Sequence, residues 1–334
     1  MHRLVPGTTS LTHPQSSQSH FSTNIALEPI RRPCVAPTAS KDNSELTQHP
    51  SYANERINRR LDSDSQRPDF MTPFMRSNPN FETMSRAEMS VVPHKPSLPL
   101  PTYLLLTSQS LSTFNFIIVG GAETSATTLT GIVSHLANPK HSHILHRLAT
   151  EIRTAFPTED DITIPGTTDL PYLDAVINEG LRLCNPVPGG IFRVVPEGGD
   201  VYCGYHLPAG THISVRPYAI SRSSKLFADP DTFAPERWLK DRPAVYRNDH
   251  LSALHPFSIG FHSCLGKPLA WVEMRLAICR LVWAFDISED PERRVDFDSF
   301  PVTVMIQKGP MMLRLKKREG VAYKEATVAG VGLG

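Results

Sequence analysis

The stretch Phe257-Ser-Ile-Gly-Phe-His-Ser-Cys-Leu-Gly-Lys267 places a single cysteine, Cys264, between two glycines, Gly260 and Gly266. The segment from Lys267 to Phe285 follows at once. It repeats apolar residues at three-to-five spacing and has a proline in its first turn, which together predict a helix. Cys264 is therefore expected in a loop that enters a helix N-terminus. Free backbone N–H groups there carry partial positive charge, and a thiol beside them favours its thiolate form.

Two interpretations of Cys264 are open from this loop alone. An isolated cysteine is usually a buried free thiol packed in a core. The spacing of Phe257, Gly260, Cys264 and Gly266, however, resembles the haem-binding loop of cytochrome P-450 monooxygenases. The resemblance implies that the cofactor is haem b, iron protoporphyrin IX, with Cys264 as the axial thiolate that binds the iron. It also implies that His262 faces a haem propionate and that the two glycines let the backbone pass close to the flat cofactor.

Composition narrows the class of protein. The 334 residues include 34 Lys and Arg against 33 Asp and Glu, so no basic surface predicts a nucleic-acid partner. Five cysteines are an odd and sparse set, which argues against a disulfide framework and suits a reducing compartment. No run reaches the roughly 18 consecutive apolar residues of a membrane-spanning helix. The compartment stays open from the sequence: the family that the chain resembles is usually anchored to the endoplasmic reticulum membrane, whereas the lack of such a segment is compatible with the cytoplasm.

The ends of the chain and one internal stretch lack periodic patterns. Residues 1–52 are rich in Ser, Thr, Pro, His and Gln and predict a disordered tail, with an organelle-targeting peptide as the alternative. Residues 53–318 are predicted to form the folded domain. Within them, residues 92–114 contain closely spaced prolines that forbid a helix interior, which predicts an irregular insertion. Residues 319–334 contain several glycines and predict a frayed C-terminus.

A second motif lies inside the apolar segment 115–136, which is predicted to be a helix. This segment contains Gly120-Gly-Ala-Glu-Thr-Ser125. Two adjacent glycines cost a helix about 1 kcal/mol each relative to alanine, so some close approach to the backbone is expected to require them. A flexible helix with an exposed acid and a threonine is the alternative that the residues alone leave open.

The same stretch resembles the oxygen-activation motif of the cytochrome P-450 family. The resemblance implies that Gly120 and Gly121 let haem and dioxygen approach the helix backbone. It implies that Thr124 is a catalytic residue that hydrogen-bonds the activated oxygen and helps to deliver protons. Glu123 is the second implied catalytic residue, connecting this proton path to solvent.

A third motif pairs Glu179 with Arg182 in a predicted helix over residues 170–183. An acid and a base three residues apart lie on one helix face, and such pairs are commonly exposed and worth little. Here apolar neighbours favour burial, which requires further hydrogen bonds to offset desolvation, and Arg237 is a candidate partner. The pattern resembles the family's Glu-x-x-Arg signature and the arginine of its Pro-Glu-Arg-Trp segment. The implied role of all three is structural, locking the meander that holds the haem loop.

Short β-favouring runs fill residues 186–216, and Arg193 lies in the first of them. The resemblance implies that Arg193 binds a haem propionate, because a guanidinium fork suits a carboxylate. An ordinary strand arginine is the alternative. Residues 297–315 alternate weakly and predict a terminal β-hairpin with a turn at Lys308-Gly-Pro310.

Together the motifs resemble the C-terminal half of the cytochrome P-450 fold, mostly α-helical with small β-sheets (α+β), of the fungal secondary-metabolism type. The early strands and helices of that fold have no counterpart, so the chain is interpreted as N-terminally truncated. The implied function is a haem-thiolate monooxygenase that inserts one oxygen atom from O2 into a small, hydrophobic organic substrate. The implied electron donor is an NADPH-dependent flavin reductase, docking near Lys267, Arg275 and Arg280.

Two other functions are weighed against this one. A truncated remnant could keep the motifs without binding haem productively and would then be non-catalytic. A hydrolase with Cys264 as its nucleophile would need a histidine base held in place by an orienting group, and the sequence identifies neither.

Overall fold

The computed structural model describes residues 55, 57–62, 72–77, 113–294, 296–302 and 305–320. The predicted tail over 1–52, residues 92–112 of the predicted insertion and residues 321–334 lie outside the described residues. A helix begins at Thr113, so the last two residues assigned to the insertion are helical. The described part is mostly α-helical with small sheets, which confirms the predicted fold class.

Helices form the framework of the described residues. Residues 55 and 57–61 are helical. The named helices are α1 (Thr72–Ser77), α2 (Thr113–Ala137), α3 (Ser142–Ala155), α4 (Pro171–Leu183), α5 (Pro217–Ser221) and α6 (Lys267–Ala284). Prolines at the start of α4, α5 and α6 suit positions whose N–H has no helical partner.

Three antiparallel two-stranded sheets lie in the described part of the chain. Strand β1 (Phe192–Val194) pairs with β4 (His212–Ser214), and β2 (Asp200–Tyr202) pairs with β3 (Tyr205–Leu207). Strand β5 (Phe285–Glu289) pairs with β6 (Leu313–Lys317). The β-rich region predicted over 186–216 therefore consists of two separate small sheets.

The predicted terminal hairpin is wrong. The strand β6 pairs with β5, which leaves the end of α6 directly, and the Val302 segment forms only an isolated bridge to Ile306. Burial explains the choice of partner. Ile287 of β5 is 6% exposed and belongs to the core, so its inward face fixes the position of β5, and the edge of β5 pairs with β6. Weak alternation between residues 297 and 315 could not reveal a partner that lies beyond the segment.

The core lies where α2, α3, α4 and α6 meet. Leu148, Val176 and Trp283 are fully buried and belong to one continuous apolar cluster. The Trp283 ring nitrogen donates to the carbonyl of Phe156 at 2.8 Å, so this large side chain is buried without an unpaired donor. The cysteine-loop helix α6 is thereby fixed to the helices that carry the other motifs.

Two glycines let α2 and α4 cross closely. A methyl group on Gly180 of α4 would lie 2.2 Å from Cγ1 of Ile132 in α2. A methyl group on Gly131 of α2 would lie 2.4 Å from both side-chain atoms of Cys184, just past the end of α4. No such contact can be accommodated without movement, so both positions require glycine for packing.

We predict that Gly180→Ala destabilises the fold by about 1–3 kcal/mol, the usual cost of overpacking a core. In the Ile132→Ala background the added methyl should cost less, because the two colliding carbons are gone. Urea unfolding monitored by far-ultraviolet circular dichroism measures both effects. Gly120→Ala is the matched control, since a methyl there meets nothing within 4 Å and should not destabilise the helix. Equal costs of Gly180→Ala in the two backgrounds would contradict the crossing argument.

Candidate functional site

Backbone hydrogen bonds shape the loop that carries Cys264. The Cys264 N–H donates to the carbonyl of Phe257 at 2.8 Å, and the Ser263 N–H donates to that of Gly260 at 3.0 Å. Gly260 adopts φ +69°, a left-handed conformation that favours glycine. The short 3₁₀ turn Gly260–His262 follows, and α6 begins three residues after the cysteine. The loop is therefore a closed turn that presents its sulfur at the start of α6.

The thiol of Cys264 is free and exposed, which contradicts the alternative of a buried core cysteine. Phe261 is 99% exposed and Leu265 is 98% exposed, so the loop also exposes two large apolar side chains close to the cysteine in sequence. A methyl on Gly266 would lie 3.7 Å from the sulfur, so glycine keeps that flank clear. The loop thus presents a sulfur ligand within an apolar surface.

The donor set fits a haem better than a metal ion held by protein alone. In the described part of the chain, no cluster of three or more His, Cys, Asp or Glu side chains is placed to hold a metal ion. A haem iron needs one axial protein ligand, and a thiolate is one of the ligands it takes.

The oxygen-motif residues lie on α2. The Thr124 hydroxyl donates to the Gly120 carbonyl at 2.5 Å, which leaves the lone pairs of its oxygen able to accept a hydrogen bond. Gly120 and Gly121 are half-buried, and a methyl on either would meet no atom within 4 Å. The two glycines are therefore not required for packing among the described residues.

A side-chain hydrogen bond joins this motif to the cysteine helix. The Ser125 hydroxyl donates to Oε2 of Glu273 at 2.9 Å. Glu273 lies in the second turn of α6, about 9 Å along the helix from its start. The motif therefore packs beside the end of α6 that follows Cys264. Sequence reasoning missed Glu273, although an acid among the apolar residues of a predicted helix was a visible signal.

Glu123 is not free in solvent. Its carboxylate forms an ion pair with Lys308, and Lys308 also donates to the Thr127 hydroxyl at 2.8 Å. The alternative of a simple exposed acid is wrong, since the Glu123 side chain is 32% exposed and paired. Sequence reasoning placed Lys308 in a hairpin turn and gave it no role.

Arg193 and His262 lie on separate elements. Arg193 is on β1, partly exposed, and donates to the carbonyl of Phe192 at 2.9 Å. His262 is exposed in the cysteine loop, with its ring edge-on to that of Phe261 at 5.3 Å between centroids. Their assignment to propionates stays a prediction.

The third motif forms a buried charge cluster. Arg182 donates to both carboxylate oxygens of Glu179, at 2.9 and 2.8 Å, and Arg237 donates to one of them at 3.0 Å. The side chains of all three residues are 0% exposed, so the alternative of a surface pair is wrong. The Trp238 ring nitrogen and the Ala234 N–H complete the carboxylate's hydrogen bonds, at 2.9 and 2.8 Å.

The cluster also fastens the irregular segment between α5 and the cysteine loop. Arg182 donates to the carbonyls of Ser221, Pro230 and Thr232 at 2.6, 2.6 and 2.9 Å. Arg237 forms an ion pair with Asp249, a residue eight positions before Phe257. Burial by itself would raise the pKa of Glu179, but hydrogen bonds and charge from the two arginines outweigh it and lower that pKa.

His135 adds a titratable group beside this segment. Its ring stacks on Phe233 at 4.4 Å between centroids. Burial, and then the positive charge of His141, lower the pKa of His135 from 6.5 to about 3. The folded protein therefore holds this imidazole neutral across the physiological range.

The basic residues expected to contact a reductase differ in their exposure and in their ion-pair partners. Arg275 donates through two nitrogens to both oxygens of Asp174, each at 2.8 Å, which commits its guanidinium to α4. Arg280 forms a longer contact with Glu159 at 3.4 Å and keeps 55% of its side chain exposed. Lys267 is exposed and lies over the Phe257 ring. Lys267 and Arg280 are the more accessible pair.

We predict that Arg237→Met lowers the free energy of unfolding by about 3–5 kcal/mol, because removing one partner leaves buried charge uncompensated. Chemical unfolding at pH 7 measures this loss. Arg314→Met is the matched control, since the exposed pair of Arg314 with Asp290 should contribute little. If Arg237→Met and Arg314→Met lose the same free energy of unfolding, burial does not make the charge cluster more important for stability than an exposed ion pair.

We also predict that the free energy of unfolding falls as the pH drops below 6.5. In this range His135 is protonated in the unfolded chain and stays neutral in the folded chain, so acid favours unfolding. From pH 7 to 5.5 this histidine should account for about 1 kcal/mol. The measurement compares unfolding free energies of the wild type and His135→Gln across that range. His146→Gln, at an exposed position of α3, is the control. Parallel pH curves for wild type and His135→Gln would refute the assignment.

A family model described as cytochrome P-450 matches residues 108–315. The match includes α2 with the oxygen motif, the Cys264 loop and α6, and it ends inside β6. None of the helices in the described part of the chain has the length and apolar character needed to cross a membrane.

Curated relatives carry the same family name. The chain is 34% identical over 271 residues to cytochrome P-450 monooxygenase astJ of Aspergillus oryzae, covering 81% of this chain and 49% of the relative. It is 34% identical over 260 residues to cytochrome P-450 monooxygenase atr2 of Stereocaulon alpinum, covering 78% and 46%. A shorter match to cytochrome P-450 monooxygenase aba2 of Botryotinia fuckeliana reaches 45% over 172 residues, 52% of this chain and 32% of that one.

Among solved structures, the cytochrome P-450DA heme domain superposes with a TM-score of 0.54 at 22% identity. The match covers 62% of this chain and 44% of that chain, and it supports the fold alone. The chain spans about half the length of the curated relatives it matches. On the family model and these relatives together, the chain belongs to the cytochrome P-450 family.

Proposed function

We propose that this chain provides the haem-holding part of a haem-thiolate monooxygenase that inserts one oxygen atom from O2 into a small organic molecule. The observation that carries the proposal is the hydrogen bond from Ser125 to Glu273. It packs the oxygen motif beside the helix that begins at the Cys264 loop. An exposed sulfur and a threonine–acid motif therefore belong to one compact unit, Ala39–Gly334.

The proposal gives the cofactor-binding residues distinct tasks. Cys264 would be the axial thiolate, on a turn that Phe257, Gly260 and Gly266 shape. Gly120 and Gly121 would leave the α2 backbone open to the cofactor, in keeping with the clear space around both. Arg193 and His262 would pair with propionates. When bound, haem b supplies the oxygen-activating chemistry, which a thiolate ligand promotes.

The protein's own part in the reaction is to hold and pass protons. The Thr124 hydrogen is committed to the Gly120 carbonyl, so its oxygen can accept a hydrogen bond from a neighbouring group. Glu123, one residue earlier, would supply the acid that exchanges protons with solvent. The apolar side chains of Phe261 and Leu265 would exclude water from the sulfur once covered.

Substrate and electron donor are proposed more broadly. The curated relatives are named monooxygenases and come from fungi, which supports a small hydrophobic substrate of secondary metabolism. An NADPH-dependent flavin reductase would supply electrons. Lys267 and Arg280 are accessible cationic contacts for its acidic surface, whereas Arg275 is held by Asp174.

We expect the purified chain to take up haem and, when reduced under carbon monoxide, to show the red-shifted Soret band of thiolate ligation. Cys264→Ser should abolish that band, because the sulfur ligand is lost. Cys203→Ser is the matched control, since Cys203 is also a free, exposed cysteine.

Three results are decisive. The proposal is supported if the wild type and Cys203→Ser show the thiolate band and Cys264→Ser does not. If Cys264→Ser also shows the thiolate band, Cys264 is not the haem ligand. A folded wild-type chain that binds no haem would favour the non-catalytic remnant instead.

A further inference from the structure

The ammonium group of Lys308 lies against two residues of α2. It forms an ion pair with the Glu123 carboxylate and donates to the Thr127 hydroxyl at 2.8 Å. The Lys308 side chain is 17% exposed and that of Glu123 is 32% exposed. The contact is therefore more shielded from solvent than the exposed pairs that contribute little to proteins. It reaches the acid of the oxygen motif from a distant part of the chain.

Thr127 is arranged to receive the lysine. Its hydroxyl donates to the Glu123 carbonyl at 2.8 Å, so its lone pairs are free to accept from Lys308. Thr127 is fully buried, which holds this hydroxyl in place. Residues four apart lie on one helix face, so Lys308 draws the Glu123 carboxylate toward Thr127. Thr124, one residue on, is turned about 100° around the helix.

The loop that carries Lys308 is fixed on both sides. Ile306 is buried, and its N–H donates to the carbonyl of Pro186 at 3.3 Å, close to the end of α4. The Gln307 N–H donates to the carbonyl of Pro301 at 2.8 Å. A methyl on Gly309 would lie 3.2 Å from the Phe300 ring, so the backbone after the lysine is packed. Lys308 thus approaches Glu123 from a defined position.

We infer that Lys308 is a positioning residue, which sets the orientation of the Glu123 carboxylate relative to Thr124. The inference rests on the proposed function, because an oriented acid matters only if the site handles protons. It names a residue outside the sequence motifs, on a loop that also contacts the exit of α4. The competing account is an ion pair that stabilises the fold and nothing more.

The first experiment uses the chain without haem. Unfolding midpoints in urea are measured for Lys308→Met, Glu123→Gln and the double variant. We expect the double variant to unfold at about the midpoint of the less stable single variant, since both substitutions break the same contact. Lys316→Met is the matched control, an exposed lysine whose effect should add to that of Glu123→Gln. If the shifts in unfolding midpoint of Lys308→Met and Glu123→Gln add fully in the double variant, the two side chains do not interact and the inference is contradicted.

The second experiment uses the haem-loaded chain and a readout that fold stability does not move. The dithionite-reduced protein is mixed with air-saturated buffer, and the rate of return to the oxidised spectrum is measured. One electron passes from the reduced haem to O2, which leaves as superoxide, and protonation of the departing superoxide speeds this step, so Glu123→Gln should slow the return about tenfold. Lys308→Met should slow it to a similar extent, with no further loss in the double variant. Lys308→Arg, which keeps the charge, should stay within about twofold of wild type.

The two possible failures are distinguishable. A chain that takes up no haem contradicts the proposed function and leaves Lys308 as a structural partner, which also overturns the inference. A chain that takes up haem, in which Glu123→Gln slows the return and Lys308→Met does not, overturns the inference alone. A loss in Lys308→Met that adds to that of Glu123→Gln shows that the lysine acts elsewhere, and it also overturns the inference.

Discussion

The structure depends on a carboxylate buried without contact to water. Taking Glu179 out of solvent costs several kcal/mol, and the cost is offset only if its oxygens are fully hydrogen-bonded. Two guanidinium groups, an indole N–H and a backbone N–H meet that requirement. These partners come from α4 and from the irregular segment that includes Ala234–Trp238. The need to neutralise one acid therefore determines where a segment of turns and short 3₁₀ helices must lie.

The position of the cysteine loop follows from that segment. Arg237 pairs with Asp249, and the Asp249 carboxylate also accepts from the Ala228 N–H at 2.7 Å. The irregular segment is thus tied to the cluster at Ser221, where it begins, and at Asp249, which lies eight residues before Phe257. On the other side, Trp283 fixes α6 to the core. The cysteine loop lies in the chain between these two anchors, although the side chains of residues 259–265 are exposed.

Much of this could be predicted from the sequence, because the informative signals were local. Helical periodicity located α2, α4 and α6, and the spacing of Glu179 and Arg182 put both on one face. The partner of β6 and the contacts of Lys308 could not be predicted, since each depends on a residue far along the chain. Glu273 illustrates the same limit. An acid in a helix is visible, but its hydroxyl partner 148 positions away is set by packing alone.

These distant contacts converge on α2, and their arrangement has a consequence for catalysis. Ser125 ties the oxygen motif to α6 on one face of the helix, while Lys308 and Thr127 hold Glu123 on another. Thr124 lies between them in sequence and bonds only to its own helix among the described contacts. Its hydrogen is committed to the Gly120 carbonyl, so its oxygen is the atom that can accept a hydrogen bond from a ligand while the neighbouring side chains stay fixed. Under the proposed function, these contacts would hold the threonine oxygen and the acid in fixed positions, and proton delivery to a defined atom requires such fixed positions because misplaced donors lose most of their effect.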